Sequence, residues 1–291
     1  MNIRRKLVVI APLLFLLLLC RPPAFHPAAG DTPDDRMSPF VSSARAQGFD
    51  FSDFNLISVE DEIKMGKELA AEVEREHPAY PDSRVQKYVR DIAVRLAKSA
   101  PNASSIPMTI MVVKDDEVNA FTIPGGHLYV NSGLIKQADN EAELAAVIAH
   151  EMGHAVRRDG TKQLTRMYGM NLVLSLILGQ DAPQWQQIVG DLFSTAGILA
   201  YGRGAEYEAD KMAVRIERAA GWDPNQYLAF LQKLQEIEKS QPNLLTDLFS
   251  THPDTQSRIE VVRGEIAGFA PPTKKLIVNT RNFDTIKRRI R

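Results

Sequence analysis

Apolar residues recur at helical spacing through most of the chain. Val85, Val89, Ile92 and Leu96 are three or four positions apart and predict a helix from about Asp82 to Lys98. Ile63, Leu69 and Val73 mark an earlier helix, opened by Ser58 as N-cap with Glu60, Asp61 and Glu62 in its first turn. Another runs from Glu141 to Arg158, with Asn140 as cap, Glu143 three residues on, and Gly160 placed to stop it. Further helices are expected at about 204–220, ended by Gly221, after Asp223-Pro224, and at about 254–267. Strand-like runs occupy 108–113, 118–123 and 127–131, the last two joined by Pro124-Gly125-Gly126. The expected fold is α+β, mostly helical, with one small β-sheet.

The two ends differ from this pattern. Arg4, Arg5 and Lys6 precede an apolar run, Leu7 to Cys20, laid out as a secretory signal and short for a membrane span. Residues 1–20 are therefore a signal sequence or a signal anchor, and the N-terminus offers a route to membrane association. Cys20 stands where a lipoprotein is acylated, although Leu19 is large where a small residue is expected. Residues 21–55, rich in Pro, Ala, Asp and Ser, read as a linker, 56–270 as the domain, and 271–291 as a basic, solvated C-terminal tail. Leu172–Leu178 is too short to span a membrane and reads as core or as a partner-facing surface.

Composition narrows the function. Hydrophobic residues make up 44% and charged residues 24% of 291, an ordinary globular balance. The net charge is −1, and without residues 1–46 it becomes −4. No basic field is present to neutralise phosphates, so nucleic acid is not an expected partner. Cys20 is the single cysteine, which excludes a disulfide and thiolate metal ligation. An exported protein without disulfides suits a bacterial periplasm or envelope.

His150-Glu151-Met152-Gly153-His154 carries the chemistry. On a helix the two imidazoles share a face one turn apart and can hold one Zn²⁺. Glu151 can take a proton from the attacking water. Such a five-residue match arises by chance in on the order of one chain per hundred. Here, however, it lies inside a capped apolar helix, where three polar side chains are costly unless paired or metal-bound. A third ligand is required. The subclass with another His six residues after the second is excluded, because Gly160 stands there. Glu206 and Asp210, four apart on a later helix, can serve: Glu206 as ligand, Asp210 on the far nitrogen of a ligand His. Taken alone, these acids read more readily as an ordinary charged helix.

Residues 60–76, 119–133, 150–154, 201–210 and 251–258 together resemble the gluzincin family of zinc metallopeptidases that includes HtpX and the CaaX prenyl protease, in its short periplasmic branch. The resemblance covers roughly 55–270. It implies a gluzincin-like domain whose sheet borders the cleft, with one Zn²⁺ on His150, His154 and Glu206, Glu151 as base and Asp210 as orienting companion. It also implies that Asn119, Ala120 and Phe121 form a strand that pairs with extended polypeptide substrates, as a free edge strand does physically. Ser250-Thr251-His252-Pro253 and Arg258 match as well. His252 would block the open zinc position or assist a tetrahedral intermediate. Arg258 would pair with a site carboxylate or steady an oxyanion. The expected function is zinc-dependent endopeptidase action on misfolded or unassembled envelope proteins. Two alternatives stay open: a chaperone-like periplasmic binding protein with a structural or self-blocked zinc site, and a zinc enzyme acting on a small amide or cell-wall peptide.

Overall fold

Local signals set the helix starts. In the computed structural model, which describes residues 54–101, 105–178, 201–240 and 246–290, Ser58 accepts the Asp61 N–H and opens α1 (Val59–Glu76). Asp82 accepts the Arg84 N–H and opens α2 (Ser83–Ala97). Each such cap contributes about 1 kcal/mol by pairing an orphan backbone donor. The sheet follows as β1 (Thr109–Val113), β2 (Ala120–Ile123) and β3 (His127–Asn131). Its spatial order is β1-β3-β2, with β1 parallel and β2 antiparallel to β3. Gly125 (φ 86) and Gly126 (φ 79) make the β2–β3 turn in the left-handed region open to glycine.

After the short α3 (Ser132–Gln137) come α4 (Glu141–Arg157) and α5 (Asp159–Leu178), the latter broken at Gly169. The remaining helices are α6 (Arg203–Ala220), α7 (Asn225–Ser240), α8 (Thr246–Thr251), α9 (Thr255–Ala267) and α10 (Arg281–Lys287). Period-two alternation buries both faces of the sheet. Val112, Ala120, Leu128 and Val130 join the main core with α2, α4, α6 and α7. Val113, Phe121, Ile123 and Tyr129 join a second cluster with Leu69 and Val73 of α1.

Two expectations are corrected. Gly160 does not end the HExxH helix but lies inside α5. The terminator is Arg158, itself left-handed (φ 59). That conformation costs a non-glycine residue about 1–2 kcal/mol. It is offset by the Arg158 side chain, which reaches Glu62 Oε2 at 2.5 Å and the carbonyls of Ile57 and Ser58. The described part of 271–291 is also not solvated throughout. Phe283, Ile286 and Ile290 are buried in the main core. The segment before them is stitched down by Asp223 N–H to Ile277 O (2.9 Å) and Ala142 N–H to Val278 O (3.0 Å). The apolar stripe 283, 286, 290 has helical spacing, but it is interleaved with arginines and lysines, of which Arg281 and Arg288 are exposed while Lys287 and Arg289 bond to Ala138 O and Asp82.

The signal or anchor at 1–20, nearly all of the 21–55 linker and the side chains of Leu172–Leu178 lie outside the described residues. Among those described, no helix is long and apolar enough to cross a membrane.

Candidate metal centre

α4 is built to carry polar groups into the core. Asn140 accepts the Glu143 N–H at 3.0 Å, and Glu143 Oε2 accepts the Asp139 N–H at 2.9 Å. The body of the helix is Ala, Val, Ile and Leu, buried from Glu141 to Ala155. His150, Glu151 and His154 are therefore surrounded by protein, each at most 3% exposed. α6 crosses α4 closely. A Cβ on Gly153 would meet Ala209 Cα at 3.2 Å, so a glycine facing an alanine lets the two backbones touch. That approach carries Glu206, one turn before Ala209, to the imidazoles.

Donor atoms of four residues converge. His150 Nε2 is 3.1 Å from His154 Nε2 and 3.5 Å from Glu206 Oε2. His154 Nε2 is 3.2 Å from Glu206 Oε1. His252 Nδ1 is 3.2 Å from both Glu206 oxygens and 3.4 Å from His150 Nε2. Ligands about 2.0–2.1 Å from a tetrahedral ion stand about 3.4 Å from one another. The nitrogen and oxygen donor set thus fits a divalent metal, and all four residues are buried with ligand atoms within 4.8 Å of one another.

The cluster also has the electrostatics of a cation cage. Burial works against charge on His154, yet its bonds to Asp159 and Glu206 push its pKa up to about 10. Burial would raise Glu206, but the positive field of His252 and Arg258 holds it well below the ordinary carboxylate range. Asp210 behaves likewise: burial opposes its charge, and Arg258 overrides this to hold it at about 2.

Behind the ligands stands a second ring of contacts. Asp210 Oδ1 lies 2.9 Å from His150 Nδ1. Arg258 donates to both Asp210 oxygens, at 2.9 and 2.8 Å, and its Nη1 is 3.2 Å from Glu206 Oε2. Tyr227 donates to Asp210 Oδ1 at 2.6 Å. Arg258 is thus paired with two site carboxylates, Asp210 and Glu206. Glu151 Oε1 is 3.4 Å from His252 Nε2, and its Oε2 has no hydrogen-bond partner among the described residues.

Three site residues carried no sequence signal strong enough to find. Asp159 Oδ2 is 3.0 Å from His154 Nδ1, Tyr227 caps Asp210, and the Tyr201 ring lies on the His154 ring at 3.9 Å between centroids. An acid just past the end of the motif helix was the available hint for Asp159. On the strand, Thr122 Oγ1 donates to Glu151 O at 3.2 Å, fixing β2 against α4. Asn119 is buried at the head of β2 and Ala120 faces α4. Phe121 is not brought to the cluster: alternation turns it towards α1, stacked on Tyr129.

A model of the family described as Peptidase family M48 matches residues 82–266. The chain is similar to the beta-barrel assembly-enhancing protease of Yersinia pestis, 28% identical over 226 residues, covering 74% of this chain and 46% of that protein. It is similar to the mitochondrial metalloendopeptidase OMA1 of Arabidopsis thaliana, 32% identical over 161 residues, 54% of this chain and 31% of that protein. For the human mitochondrial metalloendopeptidase OMA1 the identity is 28% over 174 residues, 56% of this chain and 33% of that protein. The chain spans half or less of the length of these curated relatives.

Proposed function

The chain belongs to peptidase family M48, and from that premise we propose that it is a zinc-dependent endopeptidase of the bacterial envelope that cuts misfolded or unassembled envelope proteins. The observation that carries this reading is the convergence of His150, His154, Glu206 and His252, all buried and with ligand atoms within 4.8 Å of one another, with Glu151 Oε1 3.4 Å from His252. The basic and apolar N-terminus supports export, and the likeness to the beta-barrel assembly-enhancing protease of Yersinia pestis supports an envelope substrate.

Bound zinc would supply Lewis acidity towards a water and a scissile carbonyl. The protein's own groups do the rest. His150, His154 and Glu206 would hold the ion, while Asp210 and Asp159 fix the two imidazoles through their Nδ1 atoms. The Glu151 carboxylate takes the proton of the attacking water and returns it to the leaving amine. Buried and short of partners, it gives up little hydrogen bonding to do so. β2, pinned to the Glu151 carbonyl by Thr122, holds an extended peptide at a set distance from that base.

His252 supports a second reading. His252 Nδ1 lies 3.4 Å from His150 Nε2 and 3.2 Å from Glu206 Oε1, and as a further ligand it would take the place a substrate carbonyl needs. Either His252 swings away during turnover, or the protein binds unfolded chains around a closed site. Wild type, Glu151→Gln and His252→Ala, each with one zinc per chain, should be compared on unfolded casein. Cleavage by wild type and by His252→Ala, with Glu151→Gln inert but still metal-loaded, is the expected result. Casein bound but left intact by all three would establish the binding-protein reading instead.

A further inference from the structure

Tyr201 precedes the helix that carries Glu206 and touches three parts of the site at once. Its ring lies on the His154 ring, with centroids 3.9 Å apart and planes 21° apart. Its N–H donates to Thr251 O at 3.4 Å, one residue before His252. Its hydroxyl donates to Thr122 O at 3.3 Å, and the residue is buried.

The Thr122 carbonyl has a particular direction. Asn131 N–H donates to Asn119 O at 3.0 Å, so Asn119, Phe121 and Ile123 are the positions of β2 that bond to β3. Ala120 and Thr122 turn their N–H and C=O groups the other way, to the edge of the sheet that no strand occupies among the described residues. A peptide adding to β2 must pair with those groups. One of its amides needs Thr122 O, and the Tyr201 hydroxyl already holds that acceptor.

Resting on the peptidase reading above, we propose that Tyr201 is a positioning residue that an incoming substrate strand displaces from Thr122, and that this displacement loosens the Thr251–His252 segment bonded to the Tyr201 backbone. Occupancy of the strand edge is thereby linked to vacating the fourth ligand position. Pairing limited to the Ala120 groups leaves Tyr201, and with it His252, in place. A strand long enough to reach Thr122 moves both.

The test uses the full chain loaded with Co²⁺, in a Glu151→Gln background with and without Tyr201→Phe, titrated with unfolded β-casein. Phenylalanine keeps the ring on His154 and removes the competing hydroxyl. The cobalt absorption spectrum should change on casein binding, as His252 leaves. Half-saturation should fall three- to tenfold in Tyr201→Phe, the worth of one neutral hydrogen bond. Identical half-saturation in the two proteins, or a spectrum indifferent to casein, overturns the proposal.

A second measurement needs no variant. A ten-residue casein peptide containing a cut site, N-methylated at one amide at a time, is assayed with wild type. Methylation should raise KM at least threefold at the amide that replaces the Tyr201 hydroxyl, as at the amide that pairs with the Ala120 carbonyl. Equal KM at every position overturns the proposal as well. Failure of wild type to cleave casein would sink the peptidase reading alone, because the cobalt titration reads binding without turnover.

Discussion

Asp159 closes on His154 across the end of its own helix, Oδ2 to Nδ1 at 3.0 Å. The left-handed Arg158 reverses the chain there, and Asp159 restarts it as α5. His150 and His154 are thus each held through Nδ1 by a carboxylate, Asp210 for one and Asp159 for the other. Asp159→Ala is expected to lower metal affinity 10- to 100-fold, the usual effect of losing a carboxylate behind a ligand His. Competition with a chromophoric chelator measures it. An affinity equal to wild type would show that Asp159 does not orient the ligand.

Arg258 is the cation that lets Asp210 and Glu206 remain charged inside the protein. Removing one partner of a buried ion pair costs about 3–5 kcal/mol, because the other charge is left uncompensated. Arg258→Met should lose that much in urea denaturation of the metal-free protein. Bound metal should restore part of the loss, since the ion supplies positive charge to the same carboxylates. A loss below about 1 kcal/mol would place Arg258 among weak ion pairs.

Glu217 is the opposite case. It lies on α6, fully buried, and neither carboxylate oxygen has a hydrogen-bond partner among the described residues. Burial, aided by the Asp223 charge, pushes its pKa well above the ordinary carboxylate value of 4.5. The unfolded chain then releases this proton at lower pH than the folded one. Stability linked to Glu217 is full below about pH 4.5 and falls as pH rises towards the folded pKa, by at most about 1.4 kcal/mol per pH unit. Urea denaturation of wild type and Glu217→Gln between pH 5 and 7 should show a negative slope difference that belongs to wild type alone. Parallel profiles would mean that Glu217 is ionised in the fold.

The C-terminal segment is a structural strap. Glu141, the first residue of α4, accepts from Trp222 Nε1 at 3.0 Å, from Tyr88 at 2.6 Å and from Thr280 Oγ1. The start of the motif helix is therefore anchored to the segment that contains Phe283. Phe283→Ala should cost about 3–5 kcal/mol, as for a fully buried aromatic, read from the thermal midpoint and from urea titration. A change below 1 kcal/mol would return the segment to a loosely held tail.

The features legible in the chain are those that depend on neighbours a few residues away. Asn140 and Glu143 announce the start of α4 because a cap is a local hydrogen bond, and HExxH announces a metal-binding face because i and i+4 coincide on any helix. Glu206 and Asp210 were candidates for the same reason, and so were the three strands with their glycine turn. What depends on approach between distant segments could not be read this way. Gly153 against Ala209 sets how near Glu206 comes, and nothing in either residue names the other. Tyr227 reaches Asp210, and Tyr201 reaches Thr122, only after α6 and α7 have packed on α4. Phe283, Ile286 and Ile290 looked polar by their company, since net charge along a segment says little about which face finds a core. The identity of the chemistry was written in short-range spacing, whereas the approach of His252 to the other three side chains, and the tyrosine lying on the strand edge, came from packing, which couples residues without regard to their distance in sequence.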